Sequence, residues 1–267
     1  MSLKFATIAS SSSGNSVYIG TEKTKILIDA GLSGKKIQDG LKNIGVDCKD
    51  IDAIFVTHEH IDHVKGVGVL SRRFEIPVYA TSGTWMSMPE SVGCIKDKNR
   101  KYVYSSKKCI INDICLCPFS IPHDANEPVG YSIYDGKRKI CVATDMGHVT
   151  KEVLSSLEDS NFLLLESNHD VDMLKNGSYP YNIKQRILGK NGHLSNETAG
   201  RLAAYLIKQS RNLKGIFFGH LSMENNTPSK AYKTVENILK SENIKIGHDA
   251  IVYITPNSQV SKVVKFI

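Results

Sequence analysis

The residues Asp52-Ala53-Ile54-Phe55-Val56-Thr57 run straight into His58-Glu59-His60-Ile61-Asp62-His63. A continuous apolar run of this length reads as a strand buried on both faces, and such a strand needs a packed layer on each side. Three imidazoles and an aspartate then follow within six residues, at the kind of strand end where sites gather in mixed α/β folds. If the backbone stays extended, His58 and His60 point one way and Glu59 the other. Imidazole and carboxylate together suit zinc, manganese or iron. Four ligand-type residues exceed what one tetrahedral ion takes from one loop, so the spacing points to two ions.

The rest of the chain supplies the layers. Strands are expected at 4–9, 17–20 and 25–29, with the hydroxyl-rich turn 10–16 between the first two. Ser33 can cap a helix over 35–43. Further strands are expected at 77–80, with helical sequence on either side, and at 109–117, 129–134 and 139–143. The Asp135-Gly136 turn marks a hairpin between the last two of these. A helix at 151–157 and a buried strand at 161–166 follow. Ser195 can cap a helix to about 208, and 215–219 reads as a short strand. Thr227 before Pro228 opens a helix to about 241. Strands at 251–255 and 260–265 close the chain. Strands first, then alternation, then the same order again imply two packed sheets with helices outside.

Composition narrows the class. The 267 residues are 41% hydrophobic and 23% charged, ordinary for a globular protein and unlike a disordered or fibrous chain. No apolar run reaches the roughly 18 residues of a membrane span. The opening Met1-Ser2-Leu3-Lys4-Phe5 lacks a secretory core, so the expected address is the cytoplasm. Lys and Arg total 34 against 27 acids, a formal charge of +7, which suits a polyanionic partner. None of the six cysteines forms a Cys-x-x-Cys pair. Cys115 and Cys117 share one face of the expected strand 109–117 and read as buried small hydrophobes.

The segment His58-x-His60-x-Asp62-His63 with Gly66 resembles the signature of the metallo-β-lactamase fold, and the resemblance extends along nearly the whole chain. Ile26-Leu27-Ile28-Asp29-Ala30-Gly31 is similar to that fold's early strand and turn. Pro122-His123, Thr144-Asp145-Met146-Gly147, Gly192-His193-Leu194-Ser195 and Phe218-Gly219-His220-Leu221-Ser222 are similar to the later motifs of its phosphodiesterase branch. Segments 10–16, 193–197 and 220–225 resemble the WalJ/YycJ group of small bacterial exonucleases. The resemblance implies an α/β (α+β) fold, a four-layer αββα sandwich, with 1–267 as one domain of two βα halves. It also implies a binuclear site with two divalent transition-metal ions (Zn, Mn or Fe) per chain. His58, His60 and His123 would hold one ion, Asp62, His63 and His220 the second, and Asp145 would bridge them. Asp62 and His193 would be catalytic, His193 as a non-ligand that contacts the scissile phosphate or protonates the leaving oxygen. His148, His169 and His248 receive no role.

Two ions about 3.5–4 Å apart can share a hydroxide and clamp the attacking and leaving oxygens of a phosphodiester. Aspartate at 145 departs from the cysteine of common β-lactamases, and histidine at 60 departs from the glutamate of the oxygen-reducing branch. Only 47 residues separate Asp145 from His193, too few for the inserted domain of the large RNA-processing members. The resemblance therefore implies a DNA exonuclease acting 5′→3′. A small-molecule phosphodiesterase or thioesterase of the same fold is the alternative, and a metal-stabilised binding protein a third. For a DNA partner the candidate contacts are Ser12, Ser13 and Asn15 in the glycine turn, and Lys101 and Tyr102 within the basic stretch 96–108. Lys184, Arg186 and Lys190, which approach His193 in sequence, form a second patch. Neither a membrane nor an obligatory protein partner is expected.

Overall fold

The computed structural model describes residues 3–210, 212–256 and 259–266; Met1 and Ser2 of the opening segment lie outside them. The first half contains β1 (Leu3–Ser11), β2 (Gly14–Gly20), β3 (Lys25–Ile28), α1 (Gly34–Asn43), β4 (Ala53–Phe55), α2 (Ile61–Val64), α3 (Val67–Phe74), β5 (Val78–Ala80), α4 (Ser82–Met86) and β6 (Arg100–Tyr102). The second contains β7 (Cys109–Ile111), β8 (Ile114–Ser120), β9 (Val129–Tyr134), β10 (Lys139–Ala143), α5 (Lys151–Leu157), β11 (Phe162–Glu166), α6 (Val171–Asn176), α7 (Tyr181–Leu188), α8 (Asn196–Gln209), β12 (Gly215–Gly219), α9 (Pro228–Ser241), β13 (Ile251–Ile254) and β14 (Val264–Phe266).

Two seven-stranded sheets result, ordered β14-β1-β2-β3-β4-β5-β6 and β13-β12-β11-β10-β9-β8-β7. From β14 to β6, three antiparallel ladders are followed by three parallel ones. From β7 to β13 the same order recurs. The layers follow from strand alternation. Phe5, Ile26, Ile28 and Phe55 meet Leu116, Tyr131, Ile133 and Phe217 between the sheets, with Phe5 and Phe217 rings 5.0 Å apart. Leu27, Ile54 and Val56 face the other way, onto Ile37 and Leu41 of α1 and Val67 and Leu70 of α3. Leu163, Leu165, Ile216 and Phe218 pack under Val153 of α5, Ala203 and Leu206 of α8 and Val235 and Leu239 of α9. Three apolar interfaces among four layers make the αββα sandwich.

Several local expectations need correction. Segment 109–117 is two strands: Asn112, at φ +49°, turns β7 back as β8, with Ile111 opposite Ile114. Cys115 and Cys117 share a face, but the half-exposed one. Ile114 and Leu116 take the inner face, and β8 lies one strand from the sheet edge. The turn expected over 10–16 narrows to Ser12-Ser13, because Ser10, Ser11, Asn15 and Ser16 all pair in the ladder. The closing strand begins at Val264, where it pairs with β1. Helices α6 and α7 fall where no helix was expected.

Candidate metal centre

The site lies where the parallel strands end. β4 stops at Phe55, and His60 occupies the position before α2 with ψ 143° and no capping bond from its side chain. Its ring turns instead toward His58, with Nδ1 3.0 Å from His58 Nε2 and 3.3 Å from His123 Nε2. Glu59 points away, as alternation requires, and its Oε1 accepts from Asn126 N at 2.7 Å. One turn of α2 then carries Asp62 and His63 to the other side of the cluster. Gly31 makes this possible: a Cβ there would stand 1.6 Å from Asp62 O.

The remaining donors arrive from the second half. His123 sits in the β8–β9 connection, Asp145 two residues past β10 and His220 directly after β12. Asp145 and His220 take left-handed φ of +61° and +56°, as does Asp29 after β3 at +62°. Non-glycine residues held there store strain, which is concentrated at functional sites. Asp145 Oδ1 is 3.4 Å from His220 Nε2 and 3.8 Å from His123 Nε2, and its Oδ2 is 3.3 Å from His63 Nε2. Asp62 Oδ2 is 3.4 Å from His63 Nε2 and 3.7 Å from His220 Nε2.

Donors of this kind can hold cations. Ligands about 2.1 Å from a tetrahedral ion stand about 3.4 Å from one another, close to the separations found. His58, His60 and His123 form one group able to hold an ion, and Asp62, His63 and His220 another. Asp145 also groups with His58 and His63, and with His193, His220 and Glu166. Asp145 Oδ2 and His220 Nε2 are buried without a hydrogen-bond partner, a cost that a cation would remove. The site fits the divalent ions its donor chemistry implies.

Two buried carboxylates orient these rings, and sequence reasoning assigned neither. Asp29 Oδ2 accepts from His63 Nδ1 and Thr57 Oγ1, each at 2.8 Å, while its Oδ1 accepts from Thr57 N at 2.8 Å. Glu166 Oε1 is bonded to His193 Nδ1 and His220 Nδ1, and its Oε2 accepts from Met146 N at 2.9 Å and Leu194 N at 3.1 Å. Holding Nδ1 of a histidine fixes the tautomer that offers Nε2. The one available signal was a carboxylate closing a buried apolar strand, Ile28-Asp29 and Leu165-Glu166.

Charge within the cluster is strongly coupled. Burial pushes the Asp62 carboxyl up, but His63 and His220 outweigh it and hold it below the ordinary carboxylate range. Burial opposes protonation of His220, yet Asp145, Asp62 and Glu166 raise its pKa to about 10. His58, fully buried beside other imidazoles, is pushed down. Burial likewise depresses His193, and Glu166 overcomes it to give a net rise.

The expected substrate contacts divide. Asn15 is buried within the centre, its Nδ2 3.1 Å from His63 Nε2 and 2.9 Å from Ser11 O. Ser12 and Ser13 form an exposed turn beside it, and Ser12 N reaches Leu221 O, next to His220. Lys101 and Tyr102 lie on edge strand β6, two strands from β4, about 10 Å across the sheet. In the same stretch Lys96 and Lys98 both pair with Glu75, at 2.6 and 2.7 Å, and Arg100 stacks over Trp85. His148 and His248 are exposed. His169 is buried, with neither ring nitrogen partnered.

Fold and donor set together define a metallo-hydrolase, and the model of the metallo-β-lactamase superfamily matches residues 11–181. The chain belongs to that superfamily. It is 38% identical to the exodeoxyribonuclease YycJ of Bacillus anthracis over 98% of this chain and 99% of that protein. It is 41% identical to the exodeoxyribonuclease WalJ of Streptococcus pneumoniae over 94% of each. Among solved structures, the metallo-β-lactamase fold protein YhfI from Bacillus subtilis superposes with a TM-score of 0.72 over the full length of both chains, at 14% identity. That likeness is one of fold. Among the described residues no helix is long and apolar enough to cross a membrane.

Proposed function

We propose that this chain is a metal-dependent exodeoxyribonuclease, acting 5′→3′, built as one domain of two βα halves and working in the cytoplasm. The observation that carries the reading is near-full-length similarity to two proteins named exodeoxyribonucleases. Convergence of His58, His60, Asp62, His63, His123, Asp145 and His220 on one spot supports it. In this reading His58, His60 and His123 would hold one divalent ion and Asp62, His63 and His220 a second, with Asp145 a ligand available to both. Zinc, manganese and iron all suit these donors. Such ions supply a water acidic enough to attack at neutral pH and counter-charge for a phosphodiester.

The protein's own groups do the rest. Asp29 and Glu166 hold His63 and His220 in the tautomer that offers Nε2 to the centre. His193, 19% exposed at its side chain, sits at the mouth with Nδ1 committed to Glu166, leaving Nε2 to protonate the departing oxygen. The test is end-labelled single-stranded DNA, duplex DNA and RNA incubated with manganese or zinc and resolved on a gel. Stepwise shortening of DNA from the 5′ end is expected. Unchanged activity in excess chelator, or cleavage of small diesters with no action on DNA, would overturn the reading.

A further inference from the structure

Among the described residues, α7 is the one helix of eight or more residues that buries none of its side chains. A helix this short is marginal in water without packing, so its attachments decide where it sits. Arg186 Nε donates to Asp124, the neighbour of His123, and Ile187 O accepts from His193 N at 3.0 Å. The C-terminal half of α7 is thereby tied to both sides of the mouth of the centre. On α7 and the turn that follows it stand an exposed Tyr181, a half-exposed Lys184 and an exposed Lys190. Lys184 and Lys190, with Lys175 before them, form no ion pair among the described residues; Lys184 Nζ touches only the carbonyl of Lys175, at 2.9 Å. Tyr181, the first residue of the helix, is 77% exposed. It stands about 10 Å up the helix axis from Leu188.

We propose that α7 and the turn after it are the track for the single DNA strand entering the centre, with Lys184 and Lys190 on its phosphates and Tyr181 stacked against a base. This deepens the exonuclease reading and rests on it. The chemistry is that of single-strand recognition, where cations follow the backbone and an aromatic face accepts any base. The basic stretch 96–108 is a weaker candidate: Glu75 already takes two of its lysines, and Lys107 lies over Tyr104.

The experiment uses the full chain loaded with manganese and a fluorescein-labelled phosphorothioate oligodeoxythymidine, read by anisotropy, with unmodified DNA degraded in parallel. Tyr181→Ala should weaken binding about 5-fold or more, the scale of one lost base stack, and Tyr181→Trp should restore it. The double variant Lys184→Glu with Lys190→Glu should flatten the dependence of log affinity on log salt by about 1.4, the single-strand value for two phosphates. Metal content is measured for each variant. If the wild-type protein degrades DNA and the variants bind as it does, this inference alone falls. If a variant loses its metal, α7 is a scaffold of the centre and the inference also falls. A wild-type protein that neither binds nor degrades DNA overturns the exonuclease reading together with this one.

Discussion

Glu166 Oε1 lies 2.7 Å from His193 Nδ1, and the same oxygen lies 2.9 Å from His220 Nδ1. One buried carboxylate oxygen thus orients a donor of the candidate centre and the histidine at its mouth. Burial pushes the Glu166 carboxyl up, but His193 and His220 outweigh it and keep it ionised. Any shift of Glu166 must be felt by both rings.

The first prediction tests this coupling. Glu166→Gln preserves size but presents an amide nitrogen to one of two donor pairs, the imidazoles or the amides of Met146 and Leu194. Metal affinity and turnover should each fall about 10- to 100-fold, the usual effect of losing an outer-shell carboxylate. Metal titration beside DNA turnover checks it; a variant with wild-type values in both would show that Glu166 orients nothing.

The second prediction separates ligands from His193. Asp62→Ala or Asp145→Ala should lose metal and activity together. His193→Ala should keep its metal and slow DNA hydrolysis by about 10²–10⁴-fold, the scale of general acid–base help. The loss should shrink on a nitrophenyl phosphodiester, whose leaving group needs no proton. Metal analysis of the His193 variant decides: depletion makes His193 a ligand, while retention with full DNA turnover makes it a bystander.

The centre was legible where its donors are close in sequence. His58, His60, Asp62 and His63 share one loop, so alternation and a single helical turn suffice to place them. Asp29 and Glu166 were not legible, because a carboxylate ending an apolar strand looks the same whether it meets solvent or an imidazole. The β7–β8 hairpin was read as one strand because its turn is only Asn112 and Asp113, too short to interrupt the apolar run, although the side chains change phase across it and Ile111 and Ile114 share the inner face. Helix α7 escaped notice for another reason. Helical periodicity is a burial signal, and α7 fully buries none of its side chains.

The third prediction concerns close approach. Gly31 lies against the backbone of Asp62, and its N–H donates to Asn15 O at 2.7 Å. Gly31→Ala places a carbon 1.6 Å from Asp62 O, and backbone cannot give way as a flexible side chain can. The α2 turn must move, taking Asp62 and His63 with it. Stability should drop by about 3 kcal/mol or more, within the range of severe core disruption, and metal occupancy should fall in parallel. By contrast, Gly45→Ala, at a glycine with nothing near its Cβ, should cost only the strain of its positive φ and leave metal occupancy unchanged. Equal metal loss in both variants would show that the close approach to Asp62 is unimportant.

The fourth prediction follows from His169, buried with both ring nitrogens unpartnered. Burial lowers its pKa from 6.5 to about 4. Between those values the unfolded chain binds a proton that the folded chain refuses, so stability rises with pH across that window. The contribution is fully present above about pH 6.5 and is lost as the pH falls toward 4, reaching about 3 kcal/mol there at 1.36 kcal/mol per pH unit. His169→Gln removes the titration. Urea unfolding of the metal-free wild type and variant at pH 7.5 and pH 5 isolates it, since acid release of metal then contributes to neither. The wild type should lose about 2 kcal/mol more than the variant between the two conditions. If both lose stability in parallel, His169 titrates at its ordinary value in the folded protein and its burial costs nothing.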